Sequence, residues 1–281
     1  MSLGAMARPR FLLTALAAWA IVAPLAGCRK EPTRPEWKLT WQDEFDGPAG
    51  QSPAAANWGY DLGTGGGGWG NNELEFYTAR PENVSLDGAG HLVITARKEP
   101  YLQGTEYTSA RINTRGLFEQ DRGRFEARLK LPSGQGLWPA FWLLGADFAA
   151  TGWPSCGEID IMECRGQEPA IVHGSAHGPG YSGGSALTGQ YTLPKAGFDQ
   201  DFHLFAVEWS TDRITYLVDG IAYKAIERKD VPASSAWVFT HPFFIILNVA
   251  VGGNYVGPPD DTTIFPQTML VDYVRVYAVG P

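Results

Sequence analysis

The chain has 281 residues, a formal charge of −8 and a charged fraction of 19%. Its length allows one large β domain as readily as two smaller domains. The acidic balance argues against a nucleic-acid partner, which rewards clustered Lys and Arg, and against a strongly sulfated polysaccharide, which favours a basic cleft.

Residues 1–27 read as a leader that does not belong to the fold. Arg8 and Arg10 make a basic start, and Phe11 to Leu25 is an apolar run broken by Pro24, short for a membrane span. It ends in Leu25-Ala26-Gly27-Cys28, which resembles a bacterial lipoprotein cleavage box. Cys28 is then the lipidated residue, and the lipid is the only membrane contact. A plain secretory leader is the alternative. By analogy with lipoprotein sorting, Arg29 after the cysteine implies the outer membrane of a bacterial envelope. Residues 28–36 are charged and proline-containing, as a short tether would be. Residues 37–281 remain as one domain.

Short strands follow, punctuated by Gly, Pro, Asn and Asp. Trp41 to Phe45 is the first. Gly63 to Gly70 is a glycine-rich loop with no Lys-Ser/Thr after it, so it is not a phosphate cradle. Leu92–Ala96 and Arg124–Leu131 are strands, the second with Phe125, Ala127, Leu129 and Leu131 facing inward. In Trp138–Leu144, Pro139 would forfeit a ladder hydrogen bond, which places it at a strand start. Trp138 and Trp142 share a face if the segment is extended. Phe202–Trp209 is another strand. Ile214–Val218, Asp219-Gly220 and Ile221–Lys224 form a hairpin, because Asp-Gly suits a type I′ turn. Phe243–Val251 is nearly continuous apolar and reads as a central strand. Met269–Tyr277 alternates and closes the domain. No helix longer than one turn is expected. The fold class is all-β, two antiparallel sheets packed face to face, with a concave face that forms a groove.

The chemistry is concentrated in Gly157-Glu158-Ile159-Asp160-Ile161-Met162-Glu163. In a strand, Glu158 and Asp160 share a face. Glu163 has the wrong parity, and a regular strand would bury it unpaired. A β-bulge at Ile161-Met162 returns it to the face of the other two. Two carboxyls there can stand about 5 Å apart, the separation a retaining glycosidase needs. Solvated acids at a strand edge are the bland alternative. Cys156 and Cys164 flank this strand. If it is extended they are roughly 25 Å apart, so both are free thiols, and the parity of Cys164 puts it in the core.

The six residues from Glu158 to Glu163 resemble the catalytic motif of family 16 glycoside hydrolases in its bulged, laminarinase-like form. Gly70-Asn71-Asn72-Glu73-Leu74, Gly136–Trp142 and Val271–Tyr277 resemble that family too, so the likeness spans about Trp41 to Tyr277. It implies a β-jelly roll, concanavalin A-like, with a cleft across one sheet. It implies Glu158 as nucleophile, Glu163 as general acid/base and Asp160 between them as their partner. Trp138 and Trp142 become sugar platforms, with Trp153 a third. His177 is implied to line the cleft near the acid/base. A zinc reading of His173 and His177 lacks a His-Glu-x-x-His helix and a third ligand. Asn72 (with Asn71 as its alternative) and Arg111 lie in family-like motifs and offer fixed polar groups to a hydroxyl-rich ligand. No cofactor is required. A structural calcium is implied at the Asp272 carboxylate, with main-chain oxygens near Glu44 and Gly90.

The expected partner is therefore a β-glucan polysaccharide, cut internally at β-1,3 linkages by a monomer that is lipid-anchored or secreted. Alternatives are the same machinery on mixed-linkage β-1,3-1,4-glucan or β-galactan, transglycosylation, and a non-catalytic glucan-binding protein, which typically lacks the acids.

Overall fold

A computed structural model describes Met1 and residues 36–280. The leader, Cys28 and most of the tether lie outside the described residues. No described helix is long and apolar enough to cross a membrane. The strands in chain order are β1 (Trp37–Asp43), β2 (Gly59–Asp61), β3 (Glu75–Tyr77), β4 (Val84–Leu86), β5 (Leu92–Lys98), β6 (Tyr107–Ser109), β7 (Arg111–Asn113), β8 (Gly123–Lys130), β9 (Leu137–Gly145), β10 (Glu158–Cys164), β11 (Ile171–His177), β12 (Leu187–Thr192), β13 (His203–Trp209), β14 (Arg213–Val218), β15 (Ile221–Glu227), β16 (Phe243–Val251) and β17 (Gln267–Val279). One α-helical turn, Phe148–Thr151, precedes β10.

Two sheets result, as the strand pattern predicts. One runs β15-β14-β13-β8-β17-β5-β6-β3, with β1 on β17 and β4 on β5, and the other runs β12-β11-β10-β9-β16-β7-β2. All pairs are antiparallel except β3 with β6. The core lies between the sheets, because period-2 alternation turns one face of each strand inward. Phe125, Ala127 and Leu129 of β8 meet Phe141, Leu143, Ile159 and Leu247 there.

β16 shows why a continuous apolar run marks a central strand: all nine residues are buried. Phe243, Ile245, Leu247, Val249 and Val251 enter the main core. Phe244 and Ile246 join a small cluster with Leu144 and Cys156, against which Trp142 packs. The predicted hairpin is also present, with Asp219 and Gly220 at φ 50° and 77° as a type I′ turn requires. Cys156 and Cys164 are free and buried.

Two differences from expectation have a clear local cause. β1 begins at Trp37 and ends at Asp43, where the Asp43 carboxylate accepts from Phe45 N, Asn57 Nδ2 and Trp58 Nε1 and turns the chain away. Pro139 is the third residue of the central strand β9 rather than its start. The strand tolerates it because pairing of β9 with β10 stops at Ala140, so no ladder partner is lost on that side.

The predicted bulge is real. Asp160 pairs with Trp142 and Met162 with Phe141 on one side, while Asp160 pairs with Ser175 and Glu163 with His173 on the other. Ile161 is the extra residue, and both Ile161 and Met162 are buried. Gly174 lies opposite the bulge. A Cβ there would fall 2.4 Å from both Tyr216 Cδ1 and Tyr223 Oη, which reach up from the other sheet. Tyr216 donates its hydroxyl to Ser175 O at 2.6 Å, so its ring is pinned and cannot yield.

Gly174→Ala is accordingly expected to destabilise the chain by about 1–3 kcal/mol through overpacking, a Tm loss of several degrees in calorimetry. An unchanged Tm would show that the tyrosines do not brace the bulge.

Candidate active site

β11 presents His177, Ser175 and His173 opposite Glu158, Asp160 and Glu163 in turn. The bulge therefore puts all three acids on one face with these partners. Glu158 and Glu163 are half-buried and Asp160 is 4% exposed.

Each glutamate has one oxygen held by an indole. Trp153 Nε1 donates to Glu158 Oε2 at 3.1 Å. Trp138 Nε1 donates to Glu163 Oε1 at 3.0 Å. The second oxygen of each is left for chemistry. His177 sits beside the Glu158 end of the row: its Nε2 is 2.9 Å from Asp160 Oδ2 and 3.6 Å from Glu158 Oε1. The residue directly across from Glu163 is His173, while His177 is near enough to act on Glu163 as well.

The tautomer of His177 follows from its other nitrogen. Gly183 N–H donates to Nδ1 at 3.1 Å, so the ring proton is on Nε2 and faces the acids. Glu158, Asp160 and His177 bring ligand-type atoms within 4.8 Å of one another. A metal there would need the Nε2 lone pair, which that tautomer does not offer. The N–H is not aligned on Asp160, whose Oδ2 has no hydrogen-bond partner.

All three acids are pushed up, to about 8. For Glu158 the causes are burial, then Asp160 and Glu163, opposed by His177 and Arg111. For Asp160 it is burial, opposed by a backbone hydrogen bond. For Glu163 it is burial, then Asp160, opposed by His177, the Trp138 N–H and Arg165. The Glu158 side chain is 16% exposed, and water at the cleft floor moderates the push on it. The direction is firm: crowded, desolvated carboxyls retain protons to neutral pH.

The other candidates fall on either side of the acids. Trp142 is half-buried on β9, and its Nε1 donates to Asn248 Oδ1 at 2.8 Å. Arg111 lies between two indoles, 4.8 Å from the Trp142 ring and 4.6 Å from the Trp69 ring, with Nε 3.0 Å from Asp61 Oδ2. It is thus a stacked wall element. Asn72 donates to Asn254 Oδ1 at the rim, while Asn71 turns inward to Glu73 Oε1. On the opposite flank Tyr255 packs on Trp138 at 5.0 Å and under Arg165 at 4.4 Å, and its hydroxyl is 2.9 Å from His173 Nδ1. Burial and Arg165 lower the pKa of His173.

Sequence reasoning missed Trp69, Asn248 and Tyr255. Only Asn248 had a local signal, an amide inside the apolar run of β16.

The calcium expectation meets a different arrangement. Asp43 pairs with Val274 and Leu92 with Val271, so Glu44, Gly90 and Asp272 converge on one junction of β17. Arg128 Nη1 already holds Asp272 Oδ2 at 2.5 Å, and the Glu44 carboxylate forks onto Arg275. The sole carboxylate ligand is thus committed to a guanidinium. The residues do not fit a cation as they stand, since calcium wants six to eight oxygens.

Residues 72–275 match the family described as Glycosyl hydrolases family 16. A beta-glucanase of Rhodothermus marinus is 43% identical over 97% of this chain and 94% of its own length. Among solved structures, the laminarinase catalytic domain of Thermotoga maritima is 47% identical with TM-score 0.82, covering 88% of this chain and all of that one. The endo-beta-1,3-glucanase of Pyrococcus furiosus is 47% identical with TM-score 0.83, covering 88% of this chain and 96% of that one.

Raised carboxyl pKa values mean that the folded chain keeps protons which the unfolded chain releases above about pH 4. Stability therefore falls as pH rises from about 4 toward 8 and levels beyond. Asp160→Asn is expected to be more stable than wild type at pH 8 by about 1–2 kcal/mol, with the gap closing by pH 4. Urea melts at both pH values check this, and a gap independent of pH contradicts it.

Proposed function

The chain belongs to glycosyl hydrolase family 16, and from that premise we propose that it cuts β-1,3-glucan internally by double displacement, through a covalent glycosyl-enzyme. It is a glycoside hydrolase. The observation that carries the reading is the bulge that sets Glu158 and Glu163 on one face, each with one oxygen fixed by an indole and one free.

Glu158 attacks the anomeric carbon through its free oxygen, and Glu163 delivers its proton to the leaving glycosidic oxygen. Asp160, neutral between them, spares Glu158 the repulsion of a second anion at the moment it must be charged. The His177 N–H and the Arg111 guanidinium favour the Glu158 anion as well. Once Glu158 is esterified its charge is gone. Glu163, now ionised, no longer faces that anion, so it remains a base and takes a proton from the incoming water.

The row of polar and aromatic groups across β10, β9, β16 and β7 (Asp160, Trp142, Asn248, Arg111) supports an open groove that holds several sugars, hence internal cleavage. Stacked indoles and a guanidinium suit the C–H faces and hydroxyls of pyranose rings. The leader over residues 1–27 and its Leu25-Ala26-Gly27-Cys28 box support an enzyme that is lipid-anchored at the bacterial envelope or secreted.

Product analysis on laminarin, curdlan, lichenan and agarose tests the substrate. The expected result is a ladder of oligosaccharides from laminarin with retained anomeric configuration. Exclusive cleavage of lichenan or agarose, or inverted products, would overturn it. Glu158→Gln is expected to lower kcat on the order of 10³-fold or more. Glu163→Ala is expected to be rescued by azide, yielding the β-glycosyl azide, whereas Glu158→Ala would yield the α-azide. The reverse pairing would exchange the two roles.

A further inference from the structure

Trp142 is anchored by a line of hydrogen bonds that leaves the cleft and ends beneath the glycine-rich loop. Trp142 Nε1 donates to Asn248 Oδ1 at 2.8 Å, Asn248 Nδ2 to Tyr77 Oη at 3.0 Å, and Tyr77 Oη to Glu73 Oε2 at 3.3 Å. Asn71 Nδ2 donates to the other Glu73 oxygen at 3.1 Å. The direction of this line is fixed by chemistry. An indole N–H can only donate, so the Asn248 amide must turn its oxygen to Trp142 and its nitrogen to Tyr77. The phenol oxygen then accepts, its own proton points onward, and the terminus must be an acceptor. Glu73 supplies it with both oxygens.

Tyr77 is fully buried and Asn248 is 6% exposed, so the two middle members of the line are shielded from bulk water. Dipoles aligned head to tail in a poorly screened interior strengthen one another.

Glu75 closes the line from below. It is fully buried, accepts Val251 N–H at 2.6 Å through Oε2, and leaves Oε1 without a partner. Burial and the neighbouring Glu73 raise its pKa well above the carboxylate range. The two facts agree: a protonated Glu75 can donate to Glu73, which gives the orphaned group a partner. Glu73 meanwhile lines a cavity of about 470 Å³ with Thr64, Leu74 and Tyr107.

We propose that Tyr77 and Glu73 are positioning residues for the sugar-binding face of Trp142, acting through Asn248 from outside the cleft. They touch neither the acids nor the substrate. Arg111 stacks on the Trp142 ring and fixes where its plane lies, while the hydrogen-bonded line fixes its rotation within that plane. Losing the line frees the indole to turn and weakens sugar binding without altering the reacting groups. The inference rests on the reading of Trp142 as a sugar platform.

The test is Tyr77→Phe in the full chain, with Glu73→Leu and Glu73→Gln beside it. For Tyr77→Phe on laminarin, KM is expected to rise three- to tenfold with kcat within twofold of wild type and both limbs of the pH profile in place. Titration of laminarihexaose into the Glu158→Gln background should show the same loss of affinity when Tyr77→Phe is added. Glu73→Leu should raise KM at least as far, and Glu73→Gln, whose amide oxygen can still accept from Tyr77, should recover most of it. If Tyr77→Phe does not fold, the leucine and glutamine pair at position 73 carries the test. A wild-type KM and affinity in both Tyr77→Phe and Glu73→Leu, or a fall in kcat at constant KM, overturns the positioning role. A wild-type enzyme that neither binds nor cuts laminarin sinks the β-1,3-glucan reading, and this inference with it.

Discussion

The whole site depends on holding three carboxyls on one face of one strand, against their mutual repulsion and against burial. Regular β geometry forbids it, because the third acid has the wrong parity. The extra residue Ile161 restores the parity. It does so by pushing two consecutive apolar side chains, Ile161 and Met162, into the core, and that burial stabilises what the carboxyls destabilise. Desolvating an apolar pair returns roughly 1.5–3 kcal/mol for each side chain. That is the same order as the penalty for keeping a carboxyl protonated well above its usual range. Bulge and acids therefore belong to one device, and neither would persist alone.

The two sheets divide the labour. The seven-stranded sheet displays the reactive groups, and the ten-stranded sheet supports them from behind. Tyr216 and Tyr223 cross the core to the strand opposite the bulge, where only a glycine leaves them room. On the cleft side, support comes laterally. Trp138 is held by Tyr255, with His173 and Arg165 around it, and Trp142 by Asn248 and Arg111. Each flanking tryptophan thus has its ring packed and its N–H assigned. A platform for sugar stacking must be rigid in both respects, because a loosely held ring would lose on binding the entropy that a fixed one has already given up.

What the sequence disclosed follows the range of the interactions. The bulge, the hairpin, the β16 core and the free cysteines each depend on parity or on turn chemistry within a few residues, and each was legible. The Glu158, Asp160 and Glu163 cluster was legible for the same reason. The pairing of His177 with Glu158 and of His173 with Glu163 required knowing the β10–β11 register, which no local pattern sets. Pro139 was misplaced because where the pairing with β10 ends, not its own segment, decides whether an N–H is needed there. Trp69, Tyr255 and Asn248 were missed because their partners are remote: Asn248 meets Tyr77 across 171 positions of chain. The Asp272 site shows the same limit, since Arg128 arrives from another strand and takes the carboxylate.

One consequence of this construction concerns the pH at which the enzyme works. Carboxyls kept neutral by burial are ready to donate a proton, but the nucleophile among them must give its own up. The structure resolves the conflict by asymmetry around a shared middle acid. Glu158 faces the His177 N–H and is within reach of the Arg111 charge, whereas Glu163 lies on the other side of Asp160, held by the Trp138 N–H beside Tyr255 and His173 and within reach of the Arg165 charge, with His177 acting on both glutamates. Each end of the row thus has its own cation and its own hydrogen-bond donors. A strand carrying three similar acids becomes a donor and an attacker because its neighbours differ, with no difference in the acids' own chemistry required.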